Sequence, residues 1–222
     1  MHFPERREPF EGERWMRFAV PRGSLEAPVM EQLKSAGCRM YDAEGRDGLC
    51  GEFGTSISLH KRDRRMIHPL VKVGNFHAGI TGKDICMEQG NGVCIQGLLP
   101  SPVTKWVLAA PEGFKPCGIV PTGCEMPTFA DIVMPNLADW SGYRIVRIEG
   151  DEECVIHDGL CRAIVVPTVT GRSLREKPKR PLAIVSGGDN LFESRPCVVS
   201  KYEMSNRDFP ELSVLIERLV KD

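Results

Sequence analysis

The chain has 222 residues, 41% of them hydrophobic, and 29 Lys and Arg stand against 30 Asp and Glu for a formal net charge of -1. That length and apolar content suffice for a real core, as one domain or two small interdigitated ones. The balanced charge argues against a dedicated nucleic-acid binder, which shows a basic excess or stripe, and no apolar run approaches the roughly 18 residues that span a bilayer.

Residues 1–16 are charged and contain no apolar h-region, so they read as a disordered tail and not as a secretory signal. Residues 17–20 read as a strand stopped by Pro21. Residues 25–36 place Val29, Met30, Leu33 and Ala36 at helical spacing, with Gly37 at a C-cap position. Residues 56–60 alternate as a strand, and 67–73 read as a short helix with Lys72 outward. Residues 78–81 form a short buried strand running into Gly82, with Asp84 near the start of the next helix. The runs 106–110, 130–133, 143–148, 163–166 and 182–185, bounded by Pro, Gly or Asp, read as further strands. Residues 178–181, two prolines bracketing two cations, read as a linker. Residues 209–220 carry Leu212, Val214, Leu215, Ile216 and Leu219 on an amphipathic helix that Pro210 starts. Strands alternating with helices predict an α/β fold with largely parallel sheets and a ligand crevice beyond the carboxyl ends of the strands.

The nine cysteines include no C-x-x-C pair, and none has a histidine at zinc-ligand spacing, so no metal site is expected. Their odd number, without a signal, fits reduced thiols in a cytoplasmic protein. Cys86, Cys161 and Cys197 lie in or beside apolar stretches and read as small buried residues. Cys154 and His157 would share one helical face, a spacing that more often reflects structure than a nucleophile and its base.

The turn Thr170-Gly171-Arg172-Ser173 follows the apolar run 163–166. It offers backbone N–H groups and hydroxyls to an anion, and it equally fits an ordinary hydroxylated turn. Its neighbours extend the pattern, because Glu153, Gly159, Ile164, Thr170, Gly171 and Leu174 fall at the spacing of the ATP phosphoribosyltransferase signature. The segment resembles that signature, with Ser173 keeping the hydroxyl of the family's last Thr and Val166 standing at its Asp position. Residues 18–25 (FAVPRGSL) resemble the family's opening strand and Leu-Pro-Lys-Gly-Arg-Leu turn, with Arg22 at the Lys position and Ser24 at the Arg position. Residues 71–90 (VKVGNFHAGITGKDICMEQG) are similar to its strand and Gly-x-x-Gly-Lys-Asp turn, with His77 where an Asp is usual. Residues 106–111 and 134–137 match the strand and Pro-Asn-Leu turn of its second domain, and residues 138–142 shorten the helix that follows.

The resemblance implies a two-lobed periplasmic-binding-protein-like (type II) fold with an interlobe cleft, residues 17–103 and 181–222 forming one lobe and 104–180 the other. It implies transfer of ribosyl 5-phosphate from phosphoribosyl pyrophosphate to N1 of ATP, the first step of histidine biosynthesis. Thr170, Gly171 and Ser173 would hold the 5-phosphate with Arg172 as a clamp, and Glu153 would be the catalytic carboxylate. Arg22, Gly23, Arg65, Gly82 and Lys83 would serve the pyrophosphate or triphosphate, with Mg²⁺ bridging those oxygens. A short form, a regulatory subunit resembling histidyl-tRNA synthetase and a homo-oligomer are also implied. A second class stays open, a catalytically impaired relative that senses a phosphorylated or anionic small molecule. Val166, Ser24 and His77 favour that class; the retained spacing favours the enzyme, which is the reading adopted.

Overall fold

The computed structural model describes residues 16–41, 49–137, 142–150, 154–168, 174, 182–186, 190–201 and 209–220. The chain divides into two units, one of Met1–Thr81, Asn91–Pro100 and Pro196–Asp222, the other of Gly82–Gly90 and Ser101–Arg195.

The first unit is built on a seven-stranded sheet. Its strands are β1 (Met16–Pro21), β2 (Arg39–Met40), β3 (Leu49–Phe53), β4 (Ile57–Arg62), β5 (Ala78–Gly82), β6 (Cys94–Leu98) and β13 (Pro196–Ser200), in the order β2-β3-β4-β1-β5-β13-β6. The alternation of β1 sends Phe18 and Val20 to one face. There they join Val29 and Leu33 of α1 (Glu26–Ser35) and Leu212, Leu215, Ile216 and Leu219 of the last helix, α6 (Pro210–Val220). On the opposite face Ala19 stands beside Gly79 of β5, and both are small because α2 (Arg64–Lys72) lies close over them. A Cβ at Gly79 would come within 2.7 Å of Ile67 Cγ2 and 2.8 Å of Ala19 Cβ.

Local signals set the helix ends. Gly37 takes φ +96°, its N–H donates to the Lys34 carbonyl and that of Cys38 to the Leu33 carbonyl, which closes α1 with the paired bonds of a Schellman motif. Asp63 caps α2 by accepting the Arg65 N–H at 2.8 Å. Glu211, in the first turn of α6, accepts from the Ser56 hydroxyl (2.5 Å) and N–H (3.1 Å) and from the Thr55 hydroxyl and N–H. These bonds, the Ser56 hydroxyl first, hold the Glu211 carboxyl below its ordinary value. Because the folded form is the more acidic, the stabilisation is complete above the unfolded value of 4.5 and is lost as pH falls through the folded one. Glu211→Gln should therefore lower the unfolding free energy read from urea titration at pH 7, by about 1 kcal/mol at most because the carboxylate is partly exposed to solvent screening. The gap to the parent chain should close as the titration is repeated toward pH 3.

The second unit holds β7 (Thr104–Pro111), β8 (Val120–Cys124), β9 (Tyr143–Arg147), β10 (Ala163–Thr168) and β11 (Leu182–Ile184) in the order β11-β7-β10-β8-β9, with β12 (Phe192–Ser194) also paired to β7. The strand β7 feeds both faces. Trp106, Leu108 and Ala110 pack with Ile85 of α3 (Lys83–Gln89) and with Phe129, Ala130 and Val133 of α4 (Pro127–Val133). Val107 and Ala109 pack on the other face with Ile148, Cys161, Ile164, Val166, Leu174 and Leu182, against which Val155 and Ile156 of the short helix α5 (Cys154–His157) also lie.

Three expectations change. The sheets are mixed and not largely parallel. Strands β1–β4, β1–β5, β8–β9 and β8–β10 are parallel, whereas β2–β3, β3–β4 and β6–β13 are antiparallel, as are all pairings of β7. Short returns such as the Gly54 turn between β3 and β4 leave no room for a crossover helix. Residues 130–133 are helical, since Pro127 opens α4 at its first turn and Phe129, Ala130 and Val133 then lie on one face. Residues 82–90, 101–103 and 182–195 belong to the second unit, because β11 and β12 pair with β7 and α3 packs beside α4. The linker reading of 178–181 falls outside the described residues. Among those residues, no helix is long and apolar enough to cross a membrane.

Candidate active site

In the first unit, β1 and β4 run parallel and end in register at Pro21 and Arg62, and the Arg22 N–H donates to the Arg62 carbonyl at 2.9 Å. Gly23 follows with φ +81° and is exposed, and no atom lies within 4 Å of the position a Cβ would take. Its glycine serves the backbone turn and leaves the surface open to a ligand. Arg22 is half-buried beside it and Arg65 is exposed on the first turn of α2. The residue between Asp63 and Arg65 matters as much. Arg64 Nη1 donates to Ser24 Oγ at 3.3 Å, and its carbonyl accepts from the Thr81 hydroxyl at 2.8 Å, which ties it to the end of β5. A guanidinium thus reaches the turn at the position where the resembled motif has its own arginine and this chain has Ser24.

Arg64 was not among the residues singled out from sequence. The available signal was Asp63-Arg64-Arg65 itself: two cations in the first turn of a helix oppose its dipole, so they invite an explanation beyond helix stability. Together Arg22, Gly23, Arg64 and Arg65 occupy the carboxyl edge of the parallel strands β4, β1 and β5.

His77 has a different task. Its N–H donates to the Arg17 carbonyl at 2.9 Å, its Nδ1 accepts the Arg17 N–H at 3.1 Å, and its ring leans on Phe209 at 6.2 Å. Burial and then the Arg17 charge push its pKa below the ordinary value. It is a neutral structural joint near the start of β1, the end away from Arg22.

In the second unit, Gly82 caps α3 with φ -77°, so its small size and not a left-handed backbone is what the position needs. A Cβ there would run into Asp84 Oδ1. Asp84 is 8% exposed and fully engaged: it accepts from Trp106 Nε1 at 3.0 Å, from the Ser194 hydroxyl at 2.8 Å and from the Ile85 N–H at 3.0 Å. Its own N–H donates to Ser194 Oγ at 3.1 Å. With Asp84 turned inward, Lys83 is half-buried, its N–H donating to the Arg195 carbonyl at 3.0 Å and its Nζ lying 5.4 Å from the Phe192 ring centroid.

Glu153, Thr170, Gly171, Arg172 and Ser173 lie outside the described residues. Their flanks are described. Leu174 is buried, and Val166 is 3% exposed among Val107, Ala109, Ile164 and Leu174. The position that carries an acid in the resembled signature therefore lies in apolar packing here. All nine cysteines are free thiols, and burial pushes Cys38 up to about 12 and Cys50 up to about 11. Among the described residues, no three His, Cys, Asp or Glu side chains are placed to hold a metal ion.

Comparison with known proteins bears on these edges directly. The family model HisG, described as ATP phosphoribosyltransferase, matches residues 64–221. The ATP phosphoribosyltransferase of Thermotoga neapolitana is 29% identical over 189 residues, covering 83% of each chain. The ATP phosphoribosyl transferase (HisG:HisZ) complex from Thermotoga maritima superposes with a TM-score of 0.71 at 26% identity, over 92% of this chain and 95% of that one. The periplasmic VFT2 domain of Bordetella pertussis BvgS shares the fold alone, with a TM-score of 0.56 at 9% identity over 93% of this chain and 87% of that one. The architecture is thus a two-lobed α/β fold of the periplasmic-binding-protein-like type II kind.

Proposed function

The chain belongs to the ATP phosphoribosyltransferase family, and from that premise we propose how its own residues carry the transfer. The enzyme is a pentosyltransferase that moves ribosyl 5-phosphate from phosphoribosyl pyrophosphate to N1 of ATP, the first step of histidine biosynthesis. The bond from the sugar C1′ to the pyrophosphate oxygen breaks, pyrophosphate leaves, and C1′ bonds to N1 of adenine. Both reactants are polyanions and the sugar passes through a cationic, oxocarbenium-like state. The protein's work is therefore positioning and charge stabilisation.

In the first unit, Arg22, Arg64 and Arg65 receive polyphosphate oxygens, while Gly23 lets the backbone approach them. The observation behind this is the placing of these residues at the carboxyl edge of β4, β1 and β5, the end at which open α/β sheets take their ligands. In the second unit, Gly82 admits the inward turn of Asp84 and so leaves Lys83 to face a substrate phosphate. From the sequence signature, Thr170, Gly171 and Ser173 hold the 5-phosphate, Arg172 clamps it bidentately, and Glu153 meets the ribose hydroxyls or the developing positive charge. Mg²⁺ on the substrate oxygens would neutralise the departing pyrophosphate. No described cluster of carboxylates, histidines and thiols is placed to hold it, and the proposal gives it no protein ligand.

The proposal extends to a homo-oligomer in the cytoplasm with a regulatory subunit resembling histidyl-tRNA synthetase. Support for the regulatory subunit alone comes from the Thermotoga maritima relative, which was solved as a complex with a second component, HisZ.

The family match carries the reading. Pyrophosphate release should require ATP, phosphoribosyl pyrophosphate and Mg²⁺ together, and should be measured with and without the partner subunit. Retained phosphate-ligand binding with no release under either condition would instead support the anion-sensing class.

A further inference from the structure

Lysine carries its charge on a flexible four-carbon stem, and fixing that stem costs rotamer entropy at the moment of binding. In the second unit the Lys83 ammonium does not hang free, because it lies over the ring of Phe192 at 5.4 Å from the centroid. That ring is itself fixed. Phe192 pairs with Trp106 across β12 and β7, and it makes a T-shaped contact with Phe129, centroids 5.4 Å apart and planes at 74°. Phe129 in turn packs on Trp106 at 4.7 Å, and Trp106 Nε1 donates to Asp84, the residue after Lys83. The contacts form a closed circuit that runs from Lys83 through three aromatic rings back to its own chain neighbour.

We propose that Phe192 is a positioning residue for the transfer, a cation–π seat that pre-orients the Lys83 ammonium toward a substrate phosphate. An aromatic face suits this task better than a carboxylate. It attracts the ammonium without neutralising it and uses none of its three N–H donors, so all remain for the anion. This inference rests on the reading that Lys83 meets substrate phosphate.

The full chain is titrated with ATP and with phosphoribosyl pyrophosphate, separately, by calorimetry. Lys83→Ala should weaken binding of at least one. Phe192→Leu should weaken the same substrate about 3–10-fold, the range of a half-buried cation–π contact. Phe192→Tyr should bind within about 2-fold of the parent chain, since its ring keeps a cation-attracting face. In the double variant Lys83→Ala/Phe192→Leu the two losses should not add, because one acts through the other. Fluorinated phenylalanines at position 192 keep the shape of the ring while draining its negative face. Affinity should fall stepwise with fluorine number even if Phe192→Leu folds poorly. Unchanged affinity across the fluorine series, with Lys83→Ala still impaired, overturns the seat. Unchanged affinity in Lys83→Ala overturns the reading of Lys83 on which it depends.

Discussion

Val166→Asp is expected to destabilise the second unit by about 3–5 kcal/mol near pH 7, because it puts an unpaired carboxylate into an apolar interior. Val166 is 3% exposed, opposite Val107 in the β10–β7 register and packed with Ala109, Ile164 and Leu174. The deficit should shrink in acid. A buried carboxyl has a raised pKa, so protonation removes the charge well before the rest of the protein's carboxylates titrate. Urea unfolding of Val166→Asp and Val166→Asn from pH 4 to pH 8 separates the charge from the polarity, and only the Asp variant should show the steep dependence. No gain in turnover is expected from it. Parent-like stability of the Asp variant at neutral pH would place the side chain in polar surroundings and make it a ribose ligand after all.

Asp84→Ala is expected to cost about 3–5 kcal/mol by the opposite route. The carboxylate is the acceptor for Trp106 Nε1, the Ser194 hydroxyl and the Ile85 N–H. Its removal strands two or more donors in a buried region, each worth roughly 1–3 kcal/mol when unsatisfied. Asp84→Asn should recover part of that loss, since its carbonyl still accepts from the indole while its amide cannot accept at both oxygen positions. The measurement is the denaturant midpoint together with indole fluorescence, which should report a changed Trp106 environment in the Ala variant. A loss under about 1 kcal/mol would show that water satisfies those donors, and that the start of α3 does not depend on the carboxylate.

Turns that follow strands announce themselves locally. Pro21-Arg22-Gly23 and Thr81-Gly82-Lys83 were legible because proline, glycine and an abrupt end of apolar alternation all act within a few residues. The helices at 26–35 and 210–220 were legible from their periodicity. The four-residue run 130–133 was not, because so short an apolar stretch fits either period and only Pro127 upstream decides it. The strand β13 was missed since a proline opens it and a run as short as PCVVS carries little pattern. The partners of Asp84 were out of reach for another reason. Ser194 is 110 residues away, and nothing near Asp84 in sequence says that a hydroxyl and an indole will arrive to make its burial tolerable. Arg64 belongs to the same kind, its meaning set by Ser24 at a distance of 40 residues.

The placing of β13 has a consequence for synthesis. All five of its residues are buried, and it lies between β5 and β6, yet it follows every residue of the second unit in chain order. On the ribosome, the nascent polypeptide completes the sheet of the second unit first. Until residues 196–200 emerge, β5 and β6 each present an unsatisfied ladder, the kind of surface that recruits stray strands. While residues 99–195 are being made those two ladders stay open, and that long interval is when a strand from another chain can take the place of β13.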